Sequence, residues 1–312
     1  MEFILALVGL AILLFAGDLL VRGATRAALK LGLPPLIVGL TIVAFGTSAP
    51  ELLISVDAVM AGAPGLALGN VVGSNTANIL LVLGVPALIS KLATGDHDVR
   101  DSYIQMLVAS VVFIALCFTG AIVWWMGLLL LAMLAVILTL QVRSALGTGA
   151  TPEIDEAEGR AAWGGTLLLL GLGLVGLPLG AHIFVDSALD IAARFGVPDD
   201  VIGLTLVALG TSLPELATTV AAAIRRQADV ALGNVIGSNL FNLLAICGIA
   251  SLFGPLTVPR GFLTLDLWIM LGASVLIAPF VFWTGRDMTR RYGAILTVGY
   301  VAYILVLVQT AL

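Results

Sequence analysis

Uninterrupted apolar runs of about the length of one membrane span occupy most of this chain. The stretch from Trp124 to Val142 contains no charged residue, and roughly ten such stretches follow one another. A transmembrane helix needs about 20 mostly apolar residues, and the runs do not alternate with period two as the strands of a membrane barrel do. Only 11% of the residues are charged and 60% are hydrophobic, against about 25% charged in soluble domains. The chain is therefore predicted to be an all-α polytopic membrane protein.

The apolar runs predict ten transmembrane helices, five in each half of the chain. Those of the first half are 3–21, 35–60, 67–90, 103–119 and 121–142, and those of the second half are 163–193, 199–224, 230–253, 262–284 and 292–311. The first run lacks the basic segment with which a signal peptide begins, so it is interpreted as a span.

The basic residues predict how the bundle is oriented. With ten spans both termini lie on one side, and placing them outside leaves only Arg194 and Arg260 of the 14 Lys and Arg residues outside. The other 12 then lie inside, as expected from the enrichment of Lys and Arg in cytoplasmic loops. We expect a multi-pass protein of the cell (inner or plasma) membrane with its N- and C-termini outside.

The longest polar stretch divides the chain into two units. Residues 144–160 are acidic and rich in Gly and Thr, and they are predicted to form a flexible cytoplasmic linker between residues 1–143 and residues 161–312. Cys117 and Cys247 fall in apolar runs without metal-type spacing, and both are predicted to be core residues.

Two polar motifs occur twice at one fixed offset. GTSAPEL at Gly46 returns as GTSLPEL at Gly210, and GNVVGSNTAN at Gly69 returns as GNVIGSNLFN at Gly233, each 164 residues later. Because five spans is an odd number, the second unit must insert upside down relative to the first. Inverted repeats with Gly- and Pro-interrupted helices are typical of secondary transporters, whose binding site lies near the membrane midplane. The sequence thus predicts two inverted five-helix repeats.

Each first motif places an acid inside an apolar run. A carboxylate at the centre of a membrane helix costs about 2.5–3.5 kcal/mol on insertion scales, so Glu51 and Glu215 are hard to explain by helix packing alone. Pro50 and Pro214 lack a backbone donor and crowd the carbonyl four residues earlier. A bound cation is one partner that satisfies such freed carbonyls in hydrocarbon.

The side chains that share a helical face with these acids are hydroxyls and amides. The four motif segments offer oxygen ligands and neither thiolate nor imidazole, which favours a hard cation and Ca²⁺ in particular. Two carboxylates would balance the charge of one Ca²⁺. The predicted side-chain ligands are Glu51, Glu215, Thr47, Ser48, Thr211, Ser212, Ser74, Asn78, Ser238 and Asn242.

The paired motifs resemble the α-repeats of the calcium/cation antiporter superfamily, and most closely those of prokaryotic sodium/calcium exchangers. The resemblance covers both halves of the chain. It implies an alternating-access antiporter that exports Ca²⁺ in exchange for Na⁺, with the first and sixth helices, here about 3–28 and 163–193, sliding across a core of the other eight. It implies that the residues above are ion ligands, and it adds the backbone carbonyls of Ala44 and Ala208 as Na⁺ ligands.

One position departs from the family pattern. Several members carry Asp where this chain has Asn242, so the predicted site has two carboxylates and two amides. This leaves the number and identity of the coupled ions open, and it weakens the case for K⁺ co-transport.

Further polar residues in the apolar runs have no assigned role. Asp18, Asp57, His182, Asp186 and Asp190 are candidates for gating or proton-linked roles, with a structural or interfacial role as the alternative.

The nearest alternative function is a Ca²⁺/H⁺ antiporter on the same scaffold, because carboxylates bind protons as well as Na⁺. A cation channel lined by glutamates is a second alternative, although a duplication within one chain favours alternating access. An intramembrane enzyme is disfavoured, since the acids come with hydroxyls and amides and no HExxH motif occurs. The expected partners are the transported ions, Ca²⁺ and Na⁺ or H⁺, and the lipid bilayer. No cofactor and no nucleic acid are expected, and a monomer would contain a complete site.

Overall fold

A computed structural model of the chain describes residues 1–92, 99–147, 162–194, 208–283 and 287–311, and these are almost entirely helical. Most of the predicted linker and the beginning of the predicted span 199–224 lie outside these residues. The helices of the first half are α1 Glu2–Leu31, α2 Pro35–Thr47, α3 Ala49–Met60, α4 Pro64–Ile89, α5 Arg100–Cys117 and α6 Trp124–Gly147. Those of the second half are α7 Trp163–Arg194, α8 Ala208–Thr211, α9 Leu213–Ile224, α10 Ala228–Phe253, α11 Phe262–Phe282 and α12 Arg290–Ala311.

Eight of the described helices are long and apolar enough to cross a membrane, and α2 with α3 forms a ninth, broken span bent by 44°. Helices α8 and α9 lie where a tenth span is predicted, next to residues outside the described ranges. The all-α, multi-pass architecture is confirmed. The count of ten and the side on which the termini lie stay predictions.

Helices α1 and α7 form an antiparallel pair in close contact. Arg194 at the end of α7 forms an ion pair of 2.6 Å with Glu2 at the beginning of α1. A side chain at Gly9 would place its Cβ 2.6 Å from the backbone nitrogen of Phe184, so the two backbones touch there. These two are the helices that the family resemblance predicts to be the moving pair.

The opposite end of this pair is rich in arginine and lysine. Lys30 near the end of α1 lies over the ring of Trp163 at the start of α7, with its Nζ 5.2 Å from the ring centroid. We call this end, which also carries Arg22 and Arg225, the basic end of the bundle.

Helices α4 and α10 are the most deeply buried of the long helices. Helix α2 crosses α10 at backbone contact, because a Cβ at Gly233 would lie 2.6 Å from the carbonyl oxygen of Leu36 and 3.2 Å from the Cα of Gly39. The helices that carry the repeated motifs therefore meet in the centre of the bundle.

A short strand pair modifies one predicted boundary. Strands β1 (Ala121–Ile122) and β2 (Leu256–Thr257) are antiparallel, with Ala121 opposite Thr257. The predicted span 121–142 consequently begins at Trp124, after β1. Cys117 and Cys247 are free and buried, as predicted for core residues.

Candidate ion-binding site

Both first motifs break a helix at their serine. Ser48 separates α2 from α3 with φ −86° and ψ 5°, and Ser212 separates α8 from α9 with φ −84° and ψ 1°. Pro50 and Pro214 then fall in the first turn of the new helix, where a missing N–H leaves no helical hydrogen bond unmade. The prolines therefore accompany true breaks rather than kinks in continuous helices.

The two acids stand in the first turns of the helices that follow these breaks. The side chains are 1% exposed for Glu51 and 0% exposed for Glu215. The Ser48 hydroxyl donates a hydrogen bond to Glu215 Oε1 at 3.1 Å, which joins the first repeat to the acid of the second. The helix N-terminus favours a negative charge at each acid.

Buried polar atoms without a hydrogen-bond partner concentrate at this point. In the described part of the chain 13 buried side-chain N and O atoms have no partner, and nine of them belong to predicted ligands. Such atoms are few in folded proteins, because each costs about 1–3 kcal/mol of desolvation that no bond offsets. Nine such atoms, mostly acceptors, within the predicted ligand set require a partner that the protein itself does not supply. The nine atoms are Oε1 and Oε2 of Glu51, Oε2 of Glu215, Oγ of Ser74, Ser212 and Ser238, Oδ1 of Asn78, and Oδ1 and Nδ2 of Asn242.

The second motifs supply their polar groups from one face of α4 and one face of α10. Ser74 and Asn78 are four residues apart, as are Ser238 and Asn242, and all four are buried. A π-helical turn starts at Asn78 in α4, and a second one, Phe241–Ile246, contains Asn242 in α10. Wide turns of this kind are frequent at functional sites. These turns were not predicted from the sequence.

Asn239 fixes the orientation of the amide of Asn78, one of the predicted ligands. Asn78 Nδ2 donates to Asn239 Oδ1 at 3.0 Å, so Asn78 Oδ1 is left without a protein partner. Asn75 and Asn239 in turn donate to each other's backbone carbonyls at 3.5 Å. Neither residue was predicted to belong to the site, although the doubled GSN motif contains both.

The two threonines of the first motifs make hydrogen bonds across the repeats. The Thr47 hydroxyl lies 3.3 Å from Asn234 Oδ1, and the Thr211 hydroxyl donates to Asn70 Oδ1 at 3.4 Å. These hydroxyls therefore already have protein partners, unlike the nine atoms named above.

The carbonyl of Ala44 is also engaged. It accepts a hydrogen bond from the backbone N–H of Ser48 at 3.0 Å, and it lies 3.3 Å from the Thr47 hydroxyl. A carbonyl oxygen has two lone pairs, so a cation at Ala44 would replace the threonine hydroxyl. Ala208 is the first residue of α8.

A cavity of about 210 Å³ leads toward the site between α7 and the two helix breaks. Its walls include Val185 and His182 of α7, Ile54 of α3, and Thr211 at the end of α8. His182 lies at 3.3 Å from Asp186, and both side chains are exposed. On the other side of the site α1 closes directly against α9.

The remaining candidate acids lie away from the site. Asp18 forms an ion pair of 2.5 Å with Arg225 between α1 and the end of α9. Asp57, Asp186 and Asp190 are exposed. None of these acids contributes an unpartnered buried oxygen in the described ranges.

Comparison with known proteins agrees with this architecture. The family model for the sodium/calcium exchanger protein matches residues 1–143 and 165–309. Putative antiporter CaxA of Alkalimonas amylolytica is 34% identical over 310 residues, with 96% of both chains covered. Sodium/calcium exchanger MaX1 of Methanosarcina acetivorans is 35% identical over 354 residues, with 98% of both chains covered.

The solved structures of the sodium-calcium exchanger NCX_Mj share the fold. The one obtained with 10 mM Na⁺ and zero Ca²⁺ has a TM-score of 0.84 and 33% sequence identity, covering 97% of this chain and 98% of that chain. Sequence and fold thus match over nearly the whole length. The chain belongs to the sodium/calcium exchanger protein family and is a multi-pass membrane antiporter for cations.

Proposed function

We propose that this antiporter exports Ca²⁺ in exchange for Na⁺ across the cell membrane, and that it works as a monomer. The observation that carries the proposal is the cluster of nine unpartnered buried polar atoms between the two helix breaks. Eight of the nine are oxygen atoms, and oxygen is the ligand that Ca²⁺ and Na⁺ prefer. The inverted repeats, residues 1–143 and 161–312, each contribute four of these eight oxygen atoms.

In this proposal Glu51 and Glu215 supply the two negative charges that balance one Ca²⁺. Ser74, Ser212 and Ser238 add hydroxyl oxygens. Asn78 and Asn242 add amide oxygens, and Ser48 supports Glu215 through its hydrogen bond. Thr47 and Thr211 act through the asparagines that they contact, and the Ala44 and Ala208 carbonyls take part in Na⁺ binding.

Alternating access fits the arrangement of the outer pair of helices. Helix α7 meets the helix breaks through the side chains of Leu174 and Val185 and leaves a cavity beside them, whereas a Cβ at Gly17 of α1 would lie 2.9 Å from the carbonyl of Ala217 in α9. The packing over the site is thus looser beside α7 than beside α1. Sliding of α1 and α7 together would reverse this relation.

A Ca²⁺/H⁺ antiporter is the second candidate, and Asn242 is the observation that leaves the coupled ion open. With an amide at this position, the site has two carboxylates that either two protons or Na⁺ ions can neutralise when Ca²⁺ leaves.

Flux through reconstituted vesicles separates the two candidates. Vesicles loaded with ⁴⁵Ca²⁺ are given an inward Na⁺ gradient at fixed pH, or a pH gradient without Na⁺, or a K⁺ gradient. We expect rapid Ca²⁺ efflux with the Na⁺ gradient alone. Efflux that ignores Na⁺ and follows the pH gradient would replace Na⁺ by H⁺, and efflux without any counter-ion would indicate a channel.

The same assay tests the site. Glu51→Gln and Glu215→Gln each remove half of the charge that opposes Ca²⁺, so both are expected to abolish nearly all exchange in a folded protein. Asp57→Asn is the matched control, because Asp57 is an exposed acid on the same helix as Glu51. Wild-type flux in either glutamine variant would refute the proposed site.

A further inference from the structure

Asn70 of α4 connects three segments of the protein with one amide group. Its Nδ2 donates to the backbone carbonyl of Glu51 at 3.1 Å and to the Ser55 hydroxyl at 3.0 Å, both in α3 of the same repeat. Its Oδ1 accepts the hydroxyl of Thr211, which belongs to the other repeat. Both donor hydrogens and the acceptor are therefore used, and the amide has only one orientation that satisfies them.

Asn234 of α10 repeats the arrangement from the opposite side. Its Nδ2 donates to the backbone carbonyl of Glu215 at 3.4 Å and to the Thr219 hydroxyl at 3.1 Å. Its Oδ1 lies 3.3 Å from the hydroxyl of Thr47 in the first repeat. Each partner of Asn234 lies 164 residues in sequence from the corresponding partner of Asn70. The two sets of bonds therefore connect the repeats in both directions, as a pair related by the two-fold symmetry of the repeats.

We propose that Asn70 and Asn234 are positioning residues that hold each glutamate helix in register with the helix break of the other repeat. Neither side chain has an unpartnered buried oxygen, so each acts through its neighbours rather than as a ligand. When α3 shifts, Asn70 moves with it and displaces Thr211, and when α9 shifts, Asn234 moves with it and displaces Thr47. Ion binding to the ligands of one repeat thereby positions the ligands of the other repeat.

This inference rests on the proposed function in one respect, namely that Ca²⁺ is the ion that probes the site. The test is Ca²⁺ titration calorimetry on the full-length purified protein in detergent, combined with double-mutant cycles. The crossed cycles are Asn70→Ala with Thr211→Val and Asn234→Ala with Thr47→Val. The control cycles pair the same asparagines with the threonine of their own repeat.

We expect each threonine variant to raise the Ca²⁺ Kd by about 3- to 10-fold, the size of one lost hydrogen bond, and each asparagine variant, which loses three bonds, to raise it by at least as much. In the crossed cycles the double variant should bind Ca²⁺ no more weakly than the worse single variant, because both substitutions remove the same bond. In the control cycles the two effects should multiply. Thr211→Ser keeps the hydroxyl and should restore a Kd close to that of the wild type.

Thr76→Val is the matched control substitution. Thr76 is fully buried in α4 and its hydroxyl donates to the carbonyl of Val72 in its own helix, so the Kd should not change. Should Asn70→Ala not yield a monodisperse protein, Asn70→Ser replaces it in the same cycle.

The outcomes separate this inference from the proposed function. A wild-type protein that binds no Ca²⁺ contradicts the proposed function. A wild-type protein that binds Ca²⁺, with crossed cycles that are multiplicative like the control cycles, refutes the positioning role alone. Equal coupling in crossed and control cycles would also refute it, because general damage to the site would then explain both.

Discussion

Replacing Asp18 with asparagine is expected to release α1 from α9 at the basic end of the bundle. Asp18 Oδ1 accepts a hydrogen bond from Arg225 Nε at 2.5 Å, and Asp18 Oδ2 lies 3.3 Å from Arg22 Nε. About two turns further along α1, the Thr25 hydroxyl donates to Gln227 Oε1 at 3.0 Å. These contacts join the proposed moving pair to the core on the side where the site is covered. We call them the basic-end latch.

The latch has no counterpart on the other side of the site. At the offset of 164 residues, His182 stands in place of Asp18 and Ala61 in place of Arg225. Helix α7 therefore has no equivalent ion pair to make with the end of α3 if it closes there. The latch consequently stabilises only the conformation in which α1 covers the site.

The expected magnitude follows from the burial of the pair. A hydrogen bond to a charged group is worth about 1.5–3 kcal/mol when buried, whereas exposed ion pairs contribute about 0–1 kcal/mol. The Arg225 and Asp18 side chains are 26% and 32% exposed, which places this pair between the two cases, at about 1–2 kcal/mol. Since about 1.4 kcal/mol is a factor of ten, Asp18→Asn should shift the ratio of the two conformations by about 5- to 30-fold.

Cysteine labelling measures this shift. Ala221 of α9 is 7% exposed and lies in a buried cluster with Val21 of α1. An Ala221→Cys substitution should therefore react with a hydrophilic maleimide only when α1 moves away. The labelling rate should rise about 5- to 30-fold in the Asp18→Asn background, in proportion to the open population. The buried Cys117 and Cys247 are replaced by alanine beforehand.

The control is a second ion pair of the same chemistry. Glu2 and Arg194 interact at 2.6 Å within the α1 and α7 pair, so Glu2→Gln does not cross the boundary between the moving pair and the core. Its labelling rate should equal that of the parent. An unchanged rate in Asp18→Asn, or an equal rise in Glu2→Gln, would refute the reasoning.

Three further substitutions test other parts of the molecule. Asn242→Asp adds a third carboxylate, and we expect tighter Ca²⁺ binding and a changed Na⁺ dependence of vesicle flux; an unchanged Na⁺ dependence would show that this position does not set coupling. Asn239→Leu removes the acceptor that orients the Asn78 amide, and calorimetry should give a Ca²⁺ Kd raised by about 3- to 10-fold, whereas a wild-type Kd would contradict the orienting role. Gly233→Ala forces a Cβ to 2.6 Å from a carbonyl of α2, which should cost about 1–3 kcal/mol and lower the Tm; Gly272→Ala, with no atom within 4 Å of its Cβ, should leave the Tm unchanged.

The positions of the apolar spans were largely predictable from the sequence, because burial of backbone groups in hydrocarbon leaves few alternatives to apolar helices. Nine described spans coincide with predicted runs to within a few residues, apart from the longer α1. Local exceptions were not predictable. Strand β1 shortens one predicted span, and this was not predictable because its partner strand lies more than 100 residues away in sequence. The amino-acid types of residues 78–82 likewise give no sign of a π-helical turn.

The site residues were identifiable by type, and their individual roles were not. Glu51 stood out because an acid in an apolar run needs an explanation. Thr47 shares a face with that acid, and so it was predicted to be a ligand, yet its hydroxyl lies against Asn234, 187 residues away. Asn70 and Asn234 are in the repeated motif, but only the packing of α3 against α4, and of α9 against α10, shows that they contact the glutamate helices.

The repeats are matched at Asn70 and Asn234 and unmatched at the latch, and this difference separates two properties of the transporter. The bonds of Asn70 to Glu51 and Thr211 have their counterparts in those of Asn234 to Glu215 and Thr47, so ion affinity should depend on groups that treat the two sides of the membrane alike. The contact of Asp18 with Arg225 occurs once, so the preference for one resting conformation should depend on a group that does not touch the ion. Substitution of Asp18 should then change the apparent affinities on the two sides in opposite directions, because only the populations shift. Substitution of Asn70 or Asn234 should weaken both affinities in the same direction.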